Sequence, residues 1–465
     1  MKTKERIFWF SVCFILLTLL IHPLDKAKAL SLEGEKYLQI FHDIESFIET
    51  DYVEIVDEKT LFLGAIKGML SSLGDPHTRF MAEEEFKHLQ EETRGSFGGV
   101  GLEVTYSEGS ILVISPYDDT PASKAGILPQ DRILEITGRS TEKMPIEEAV
   151  KLMRGPAGSS VTIKIKRKTV KDPFFVTLNR ELIKMSFIKS TFLENEKVGY
   201  LRLTQFMGRE NNTAGEFKKA IQEFSNKNAN GIVIDLRSNP GGLLDLAVEF
   251  SDLFLRPDLD IVSVRGRGEK LVKVYRAIET KDKFLDIPLV LLLNNGSASA
   301  SEILAGALQD NKRALVVGNQ SFGKGSVQNI YNLPHKTGMA LTVQKYYTPS
   351  GVSIHKKGIT PDIVVNAITP DTESKTHLDN LLKTSILQNF VKENPGYNEK
   401  NIKSFQELLV KKGYKLNKTI SRFILKKENL IGEKAPIIDR EFDPQLNKAI
   451  ELLTNPLPSK QTSSM

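Results

Sequence analysis

The sequence is poor in the residues that build cross-links and metal centres. Its 465 residues include a single cysteine, Cys13, and seven histidines scattered along the chain. No His-Glu-x-x-His motif occurs, which argues against a zinc peptidase site, and one cysteine cannot form an internal disulfide. Because Cys13 lies in the first 29 residues, the remainder of the chain has no thiol nucleophile.

The chain also lacks a strong excess of charge of one sign. Lys and Arg total 63, and Asp and Glu total 58. The first 29 residues hold five basic and two acidic side chains, so 58 basic and 56 acidic side chains remain without them. A balanced chain offers no electrostatic footprint for nucleic acid. With 40% hydrophobic residues, the length is enough for about three globular domains.

Residues 1–29 have the pattern of an export signal. A basic start is followed by an apolar run over 7–21 and by Ala-Lys-Ala at 27–29, a small-x-small cleavage pattern. The run is shorter than the ~20 residues that a spanning helix needs, which favours cleavage over retention as a membrane anchor. In either case we expect the body of the protein in the periplasm or on the outer face of the cytoplasmic membrane.

Both ends of the mature chain have helical patterns without evident chemistry. In 30–94, apolar residues recur at three- and four-residue spacing between Tyr37 and Phe47, which favours a helical packing or dimerisation element. His77 follows a proline in a loop and is expected to be structural. The segment 369–465 is polar and mainly helical, and we expect a C-terminal extension there.

The middle of the chain predicts a multidomain α/β protein. From Gly95 the apolar period becomes two, which predicts a β-rich domain with short helices over 95–180. Strands and helices then alternate over 181–368, and the strands at 231–236 and 288–293 are apolar enough to be buried on both faces. That order is typical of an α/β core with parallel strands, whose sites lie at the strands' carboxyl ends.

Three loops of the predicted core have unusual composition. The first, 237–242, contains Gly241 and Gly242 directly after a buried strand. Paired glycines allow backbone N–H groups to approach a ligand and stabilise an oxyanion, although a tight strand-to-helix turn would also need them.

The second loop, 296–302, surrounds Ser299 with small residues between a strand and a helix. Small neighbours leave room for a substrate carbonyl, and the free N–H groups of a helix N-terminus favour developing negative charge. Ser299 and Glu302 also have capping-box spacing, so Ser299 as a simple helix cap is the alternative.

The third loop, 322–328, places Lys324 between two glycines and ahead of a strand. At strand spacing Lys324, Ser326 and Gln328 share a face, so the Gln328 amide is able to orient the ammonium group. A phosphate-binding loop is the alternative, because 318–324 reads G-x-x-x-x-G-K. That motif requires Ser or Thr next, where the sequence has Gly325.

A serine and a lysine are sufficient for nucleophilic catalysis. The lysine must be neutral to accept the serine proton, and burial away from water favours its neutral form. The competing arrangement is Ser–His–Asp with His335 or His355 as the base. Both histidines lie in polar, turn-like stretches, and no matching acid is evident.

Four motifs in register resemble those of the carboxyl-terminal processing proteases, the tail-specific Ser–Lys peptidases of family S41. They are Gly-Met-Leu-Ser-Ser-Leu-Gly-Asp-Pro-His-Thr at 68–78, Gly-Ser-Ala-Ser-Ala-Ser-Glu-Ile at 296–303, Ser-Phe-Gly-Lys-Gly-Ser-Val-Gln at 321–328 and Tyr-Tyr-Thr-Pro-Ser-Gly at 346–351. The resemblance implies that Ser299 is the nucleophile, that Lys324 is the base and that Gln328 orients it. The implied oxyanion hole uses the backbone N–H of Ala300 and that of Gly241 or Gly242.

Residues 97–170 resemble the family's PDZ domain. Four residues match the loop that receives a peptide's terminal carboxylate: Gly99, Val100, Gly101 and Leu102. The resemblance also implies that Arg154 couples the position of this domain to the active site, as in some family members. Gln130 departs from the pattern, because the family usually has Gly before the following strand.

The resemblance implies an endopeptidase that acts from the carboxyl-terminal side of exported proteins with disordered tails. Implied partners are such polypeptides, an adaptor lipoprotein and further copies of the chain, with no nucleic acid. We expect no metal, nucleotide or organic cofactor. The alternative from another class is a peptide-binding adaptor or chaperone that uses the PDZ domain without catalysis.

Overall fold

The computed structural model describes residues 31–107, 109–117, 119–430 and 436–455. The predicted export signal therefore lies outside the described residues. The chain divides after Phe80 into two compact units. Among the described residues, no helix combines the length and the apolar character needed to cross a membrane.

Among its described residues, the first unit contains two helices, as the helical pattern of 30–94 predicts. Helix α1 (Leu32–Asp51) begins after Ser31, and α2 (Glu58–Ser71) begins after Asp57. Both preceding side chains accept a hydrogen bond from a backbone N–H of the first turn, as N-caps do. The short strand β1 (Arg79–Met81) follows.

The second unit begins with α3 and an antiparallel domain. Its elements are α3 (Glu83–Arg94), β2 (Ser96–Gly99), β3 (Leu102–Ser107), β4 (Ser110–Pro116), α4 (Pro121–Lys124), β5 (Arg132–Ile136), β6 (Arg139–Ser140), α5 (Ile146–Met153), β7 (Ser160–Lys166), β8 (Phe174–Asn179) and β9 (Glu181–Lys184). The sheet order is β3-β4-β5-β7-β8, which places β3 at an edge, and β9 pairs with β2. Inward residues such as Ile111, Ile133 and Ile163 form its core.

The predicted α/β core follows. Its elements are β10 (Ile188–Leu193), β11 (Val198–Leu203), α6 (Thr213–Asn226), β12 (Gly231–Asp235), α7 (Leu244–Asp252), β13 (Asp260–Arg265), β14 (Leu271–Arg276), β15 (Leu289–Leu293), α8 (Ala300–Asp310), β16 (Leu315–Gly318), β17 (Ser326–Leu333), β18 (Thr337–Tyr347) and β19 (Ile363–Val364), with short 3₁₀ helices at Arg209–Asn211 and Arg267–Glu269. The main sheet has the order β10-β11-β12-β15-β16-β19 and is parallel from β11 onward.

Both faces of the main sheet are covered, as the apolar strand sequences predict. Ile232 and Ile234 of β12 face the cluster formed with α6, α7 and α8, whereas Val233 faces the opposite side. Strands β13, β14, β17 and β18 belong to a second, antiparallel sheet in which β18 pairs with both β13 and β17.

The C-terminal part is helical, as predicted. Helices α9 (Thr372–Leu382), α10 (Ile386–Glu393), α11 (Glu399–Lys411) and α12 (Lys418–Asn429) enclose an apolar cluster of their own. The last helix, α13 (Pro444–Thr454), instead packs Leu446, Ala449, Ile450 and Leu453 against the main sheet. The chain therefore returns to the core after the helical cluster.

Candidate active site

The three loops selected from the sequence leave neighbouring strands of the main sheet. Loop 237–242 follows β12, loop 296–302 follows β15, and loop 322–328 follows β16. These strands are adjacent and parallel, so their carboxyl ends meet at one edge of the sheet. The fold therefore gathers the predicted nucleophile, base and oxyanion loop at this edge.

Ser299 lies at the N-terminus of α8 with an unusual backbone. Its φ of 56° and ψ of −114° lie outside the conformations that non-glycine residues normally adopt, and its side chain is largely buried. Such strain costs about 1–3 kcal/mol and persists where the surrounding structure enforces it, commonly at functional sites. The predicted capping relation exists, because the Ser299 N–H donates to Glu302 Oε2 at 2.8 Å.

Glu302 connects loop 296–302, the serine loop, to loop 322–328, the lysine loop. Besides Ser299, its carboxylate accepts hydrogen bonds from Ser321 Oγ at 2.6 Å, from the N–H of Gly323 at 2.7 Å and from the N–H of Lys324 at 2.9 Å. One buried carboxylate thus binds the backbone of both the predicted nucleophile and the predicted base. The sequence suggested Glu302 only as a capping partner, through its spacing from Ser299.

Burial and hydrogen bonding shift the pKa of Glu302 in opposite directions. Removal from water raises the pKa of Glu302, and the donors from Ser321, Gly323, Ser299 and Lys324 only partly offset that increase. The pKa remains above its usual value of 4.5. Since the four donors need an ionised acceptor, the arrangement is complete only at a pH above this raised pKa.

Asn239 connects loop 237–242, the double-glycine loop, to the serine loop. Its backbone carbonyl accepts the Ala298 N–H at 2.9 Å and the Ser301 hydroxyl at 3.0 Å. Its buried side chain accepts the Gly241 N–H at 2.9 Å and donates to Leu203 O at 2.8 Å. The backbone carbonyl of Asn239 therefore connects the two loops, and its side chain fixes the double-glycine loop itself; no pattern in the sequence indicates either role.

Position 241 requires glycine, because the double-glycine loop and the serine loop approach each other closely there. Its φ is +97°, and an added Cβ would lie 2.7 Å from Ser299 Cβ and 2.8 Å from Ala300 N. An added Cβ on Gly242 would instead lie 2.3 Å from Phe206 O. Because the Gly241 N–H already donates to Asn239, Gly242 is the oxyanion donor proposed below beside Ala300, and that role stays a prediction.

Gln328 and Tyr346 lie on the second sheet. Strand β17 begins at Ser326, so Lys324 precedes the strand, and Gln328 Nε2 donates to Ser326 Oγ at 2.9 Å and to Thr342 Oγ1 at 3.0 Å. The role of Gln328 in orienting Lys324 remains a prediction. Tyr346 is buried, its hydroxyl hydrogen-bonds the Ser299 side chain, and burial raises its pKa.

The sequence does not indicate Tyr346 as a site residue, although it belongs to the motif at 346–351. Its backbone N–H donates to Gly325 O at 2.7 Å, which also joins β18 to the lysine loop. Tyr346 thus contacts the nucleophile with its hydroxyl and the lysine loop with its backbone.

A buried ionic cluster lies at the start of the double-glycine loop. Asp235, at the end of β12, accepts hydrogen bonds from the side chains of Tyr200, Arg202 and Arg237. Burial alone would raise the pKa of Asp235, but these hydrogen bonds and the two positive charges outweigh burial and lower it. Asp235 therefore holds Arg237 where the loop begins.

The antiparallel domain has the predicted carboxylate loop beside its edge strand. Gly101 has a φ of +77°, and an added Cβ would lie 2.3 Å from Thr120 Cβ. Val100 is buried and its carbonyl accepts the Ala122 N–H. Gln130, where the family usually has Gly, adopts a φ of 67°, which is the conformation that glycine accommodates most readily.

Arg154 lies at the C-terminal end of α5 and contacts α3 and β2. One of its terminal nitrogens lies 2.7 Å from His88 Nε2 and 3.2 Å from Glu91 Oε2, and the guanidinium carbon lies 4.4 Å from the centre of the Phe97 ring. The side chain thus joins the antiparallel domain to α3. A coupling to the catalytic loops remains a prediction.

The alternatives raised by the sequence differ in their structural support. Lys324 is followed by β17, whereas a phosphate-binding loop requires a helix at that point. His335 lies in the turn between β17 and β18, and the backbone of His355 packs against Gly325. Within the part of the chain that the structure describes, no cluster of His, Cys, Asp or Glu could hold a metal ion.

Comparison with known proteins agrees with this architecture. Residues 197–365 match peptidase family S41, residues 112–167 match the PDZ domain, and residues 22–85 match the activating protease CtpB N-terminal domain. The parallel strands of the main sheet, from β11 to β19, and the three loops lie within the first match, and the carboxylate loop precedes the second.

Curated relatives cover most of the chain. The carboxy-terminal-processing protease of Bartonella bacilliformis is 45% identical over 72% of this chain and 76% of its own. The carboxy-terminal processing protease CtpB of Bacillus subtilis is 36% identical over 72% of this chain and 68% of its own. A solved photosystem II D1 C-terminal processing protease is 30% identical, with a TM-score of 0.42 over 72% of this chain and 94% of its own. The chain therefore belongs to the carboxy-terminal processing proteases, serine peptidases of family S41 with a PDZ domain.

Proposed function

We propose that the chain is a serine endopeptidase in which Ser299 is the nucleophile and Lys324 the general base. The observation that carries the proposal is the Glu302 carboxylate, which accepts the backbone N–H groups of both residues and so fixes them relative to each other. Preorganisation of this kind lowers the barrier to attack.

In the proposed reaction, neutral Lys324 accepts the proton of the Ser299 hydroxyl as its oxygen attacks the peptide carbonyl carbon. The N–H groups of Ala300 and Gly242 stabilise the resulting oxyanion. The protonated Lys324 then donates its proton to the leaving amine as the C–N bond breaks. Water, deprotonated by Lys324, hydrolyses the acyl-enzyme and restores Ser299. Gln328 is the proposed orienter of the lysine side chain.

The test is degradation of casein by the purified wild type, Ser299→Ala and Lys324→Ala. Cleavage by the wild type and a loss on the order of 10⁴-fold or more in both variants are expected, because removing one member of a catalytic unit abolishes most of its effect. Lys357→Ala, with an exposed lysine near the same loop, is the matched control and should retain wild-type activity.

His355→Ala separates the competing base from Lys324. It should retain most of the cleavage, whereas a loss equal to that of Ser299→Ala with Lys324→Ala still active would refute the assignment of the base. Tail binding without cleavage in every variant, the wild type included, would favour the adaptor function.

The proposed substrates are exported polypeptides with disordered carboxyl termini. The Gly99–Leu102 loop would bind the terminal carboxylate with backbone amides, and the tail would add a strand to the edge strand β3. Two peptides of the same sequence, one with a free and one with an amidated carboxyl terminus, test this. The amidated peptide should bind more weakly than the free-acid peptide.

We also propose that the protein works outside the cytoplasm and is able to assemble with an adaptor lipoprotein or with further copies of itself. The match to the CtpB N-terminal domain supports the assembly proposal. Cell fractionation of the full chain tests the location: recovery from the cytoplasm alone would contradict export. Mass measurement in solution tests self-association.

A further inference from the structure

The start of the C-terminal helix α13 lies against the edge of the sheet from which the catalytic loops emerge. The body of the helix packs on the sheet face formed by Val233, Val290 and Val317. Its first turn, at 443–445, contacts residues that follow the carboxyl ends of β12, β16 and β19. A segment without a readable motif therefore contacts the first residue of the double-glycine loop and Asn319, which lies between β16 and the lysine loop.

Asp443 binds the residue that begins the double-glycine loop. Arg237 Nη1 and Nη2 donate to Asp443 Oδ1 and Oδ2, each at 2.7 Å, while Nε and Nη2 also donate to Asp235. A bidentate pair of this kind fixes the orientation of the guanidinium group as well as its position. Two residues further on, Asn239 holds the serine loop through Ala298.

Gln445 connects that arginine to the lysine loop. Its side chain is almost fully buried, and its Oε1 accepts Arg237 Nη1 at 3.0 Å. Its Nε2 donates to Asn319 Oδ1 at 3.0 Å and to Val365 O at 2.7 Å. Asn319 precedes Ser321, which donates to Glu302. The side-chain amide of Gln445 therefore joins Arg237, the first residue of the double-glycine loop, to Asn319, which precedes the lysine loop.

We propose that Asp443 and Gln445 are positioning residues of the catalytic site. Through them, the C-terminal helix α13 holds the double-glycine loop (237–242) and the lysine loop (322–328) in a fixed position relative to each other. The proposal rests on the Ser299–Lys324 function proposed above. Asp443 acts through Arg237, and Gln445 acts through Arg237 and Asn319. The site is thus assembled from the S41 core and from a segment that lies beyond residues 197–365, the S41 match.

Asp443 also caps α13, because its Oδ1 accepts the Leu446 N–H at 2.9 Å. Asp443→Asn separates the two roles, since asparagine is as good an N-cap as aspartate but cannot form the bidentate ionic pair. Gln445→Ala removes the link to Asn319 and leaves the cap intact. Glu451→Gln, an exposed position on the same helix, is the matched control.

The experiment measures kcat and KM on casein for the full-length variants, each well below its melting temperature, with the native fraction determined by near-ultraviolet circular dichroism. Asp443→Asn and Gln445→Ala should lower kcat per native molecule by about tenfold to a hundredfold, the range expected for small displacements of catalytic groups. KM should change by less than about twofold, because the PDZ domain is untouched. Glu451→Gln should match the wild type.

Asn319→Ala should lower kcat by a smaller factor in the Gln445→Ala background than in the wild type, since the Gln445–Asn319 bond is already absent there. Unchanged kcat per native molecule together with a lower melting temperature would overturn the proposal and leave a structural role alone. Failure of the dyad itself is distinguishable, because it would appear as cleavage by Ser299→Ala.

Discussion

The proposed catalytic edge of the main sheet and the proposed peptide-binding edge of the PDZ domain are built in opposite ways. At the catalytic edge, Glu302 and Asn239 bind the backbone of all three loops. At the PDZ edge, β3 pairs with β4 on one side and is the outermost strand on the other. Under the proposed function, bond cleavage would use donors held in place by these hydrogen bonds, whereas tail recognition would use strand addition at β3.

The largest effect that would sharpen this comparison is expected from Glu302→Gln. An amide retains one oxygen in place of two, so at least one of the four donors would face an N–H group. We expect kcat to fall about a hundredfold with little change in KM. Peptide hydrolysis measures this, with Glu373→Gln as a control at an exposed first-turn position of α9. An unaltered kcat would mean that Glu302 does not fix the catalytic loops.

The PDZ edge is tested by Gly101→Ala. The added Cβ would collide with Thr120 and force a residue with a side chain to a φ of +77°. We expect KM for free-carboxylate peptides to rise about tenfold with kcat nearly constant, because remote binding is lost but the catalytic loops remain. Gly109→Ala is the matched control, since Gly109 has the same φ and open space around its Cα. A fall in kcat alone would contradict the separation of roles.

Tyr346→Phe is expected to have a smaller effect at the catalytic edge. The substitution removes the hydroxyl that contacts Ser299 and keeps the buried ring. Loss of one hydrogen bond of about 0.5–1.5 kcal/mol corresponds to a decrease in kcat of about two- to tenfold. Tyr347→Phe is the control, because the neighbouring hydroxyl bonds Glu269 instead. Equal effects of both substitutions would refute a specific role for Tyr346.

The smallest effect concerns pH. The raised pKa of Glu302 means that its carboxylate gains a proton at a pH above 4.5 and then loses an acceptor site. Because the folded-state pKa is raised, the ionised form opposes folding at neutral pH, and this cost is relieved as the pH falls through the folded pKa. Activity should therefore decline on the acid side without unfolding caused by this group. This is checked by measuring kcat and circular dichroism over the same pH range. If kcat declines at low pH in Glu302→Gln as it does in the wild type, protonation of Glu302 is not the cause of the decline.

The features predicted from the sequence are those encoded by contiguous residues. The parallel core follows from apolar strands such as 231–236, and the three loops stand out because glycine, serine and lysine occur in unusual local combinations. The connections between loops are different. Arg237 and Asp443 lie 206 residues apart, and neither has a neighbourhood that indicates the other. Ionic pairs and buried amides of this kind depend on tertiary packing, so no periodicity reveals them.

Partners of a predicted residue also escaped prediction. The family resemblance indicates Arg154, but its contacts with His88, Glu91 and Phe97 depend on how α3 packs against the antiparallel domain. Glu302 was noticed for its spacing from Ser299, whereas its bonds to Gly323 and Lys324 require the neighbouring strand order. Local chemistry was readable from the sequence, and the assembly of separate loops was not.

The most direct test of the division between the two edges compares hydrolysis of one peptide with a free and with an amidated carboxyl terminus by the wild type, Glu302→Gln and Gly101→Ala. We predict that amidation raises KM for the wild type and for Glu302→Gln by the same factor, and that Gly101→Ala no longer distinguishes the peptides. Glu302→Gln should be slow with both. Loss of discrimination in Glu302→Gln, or unchanged discrimination in Gly101→Ala, would contradict the account.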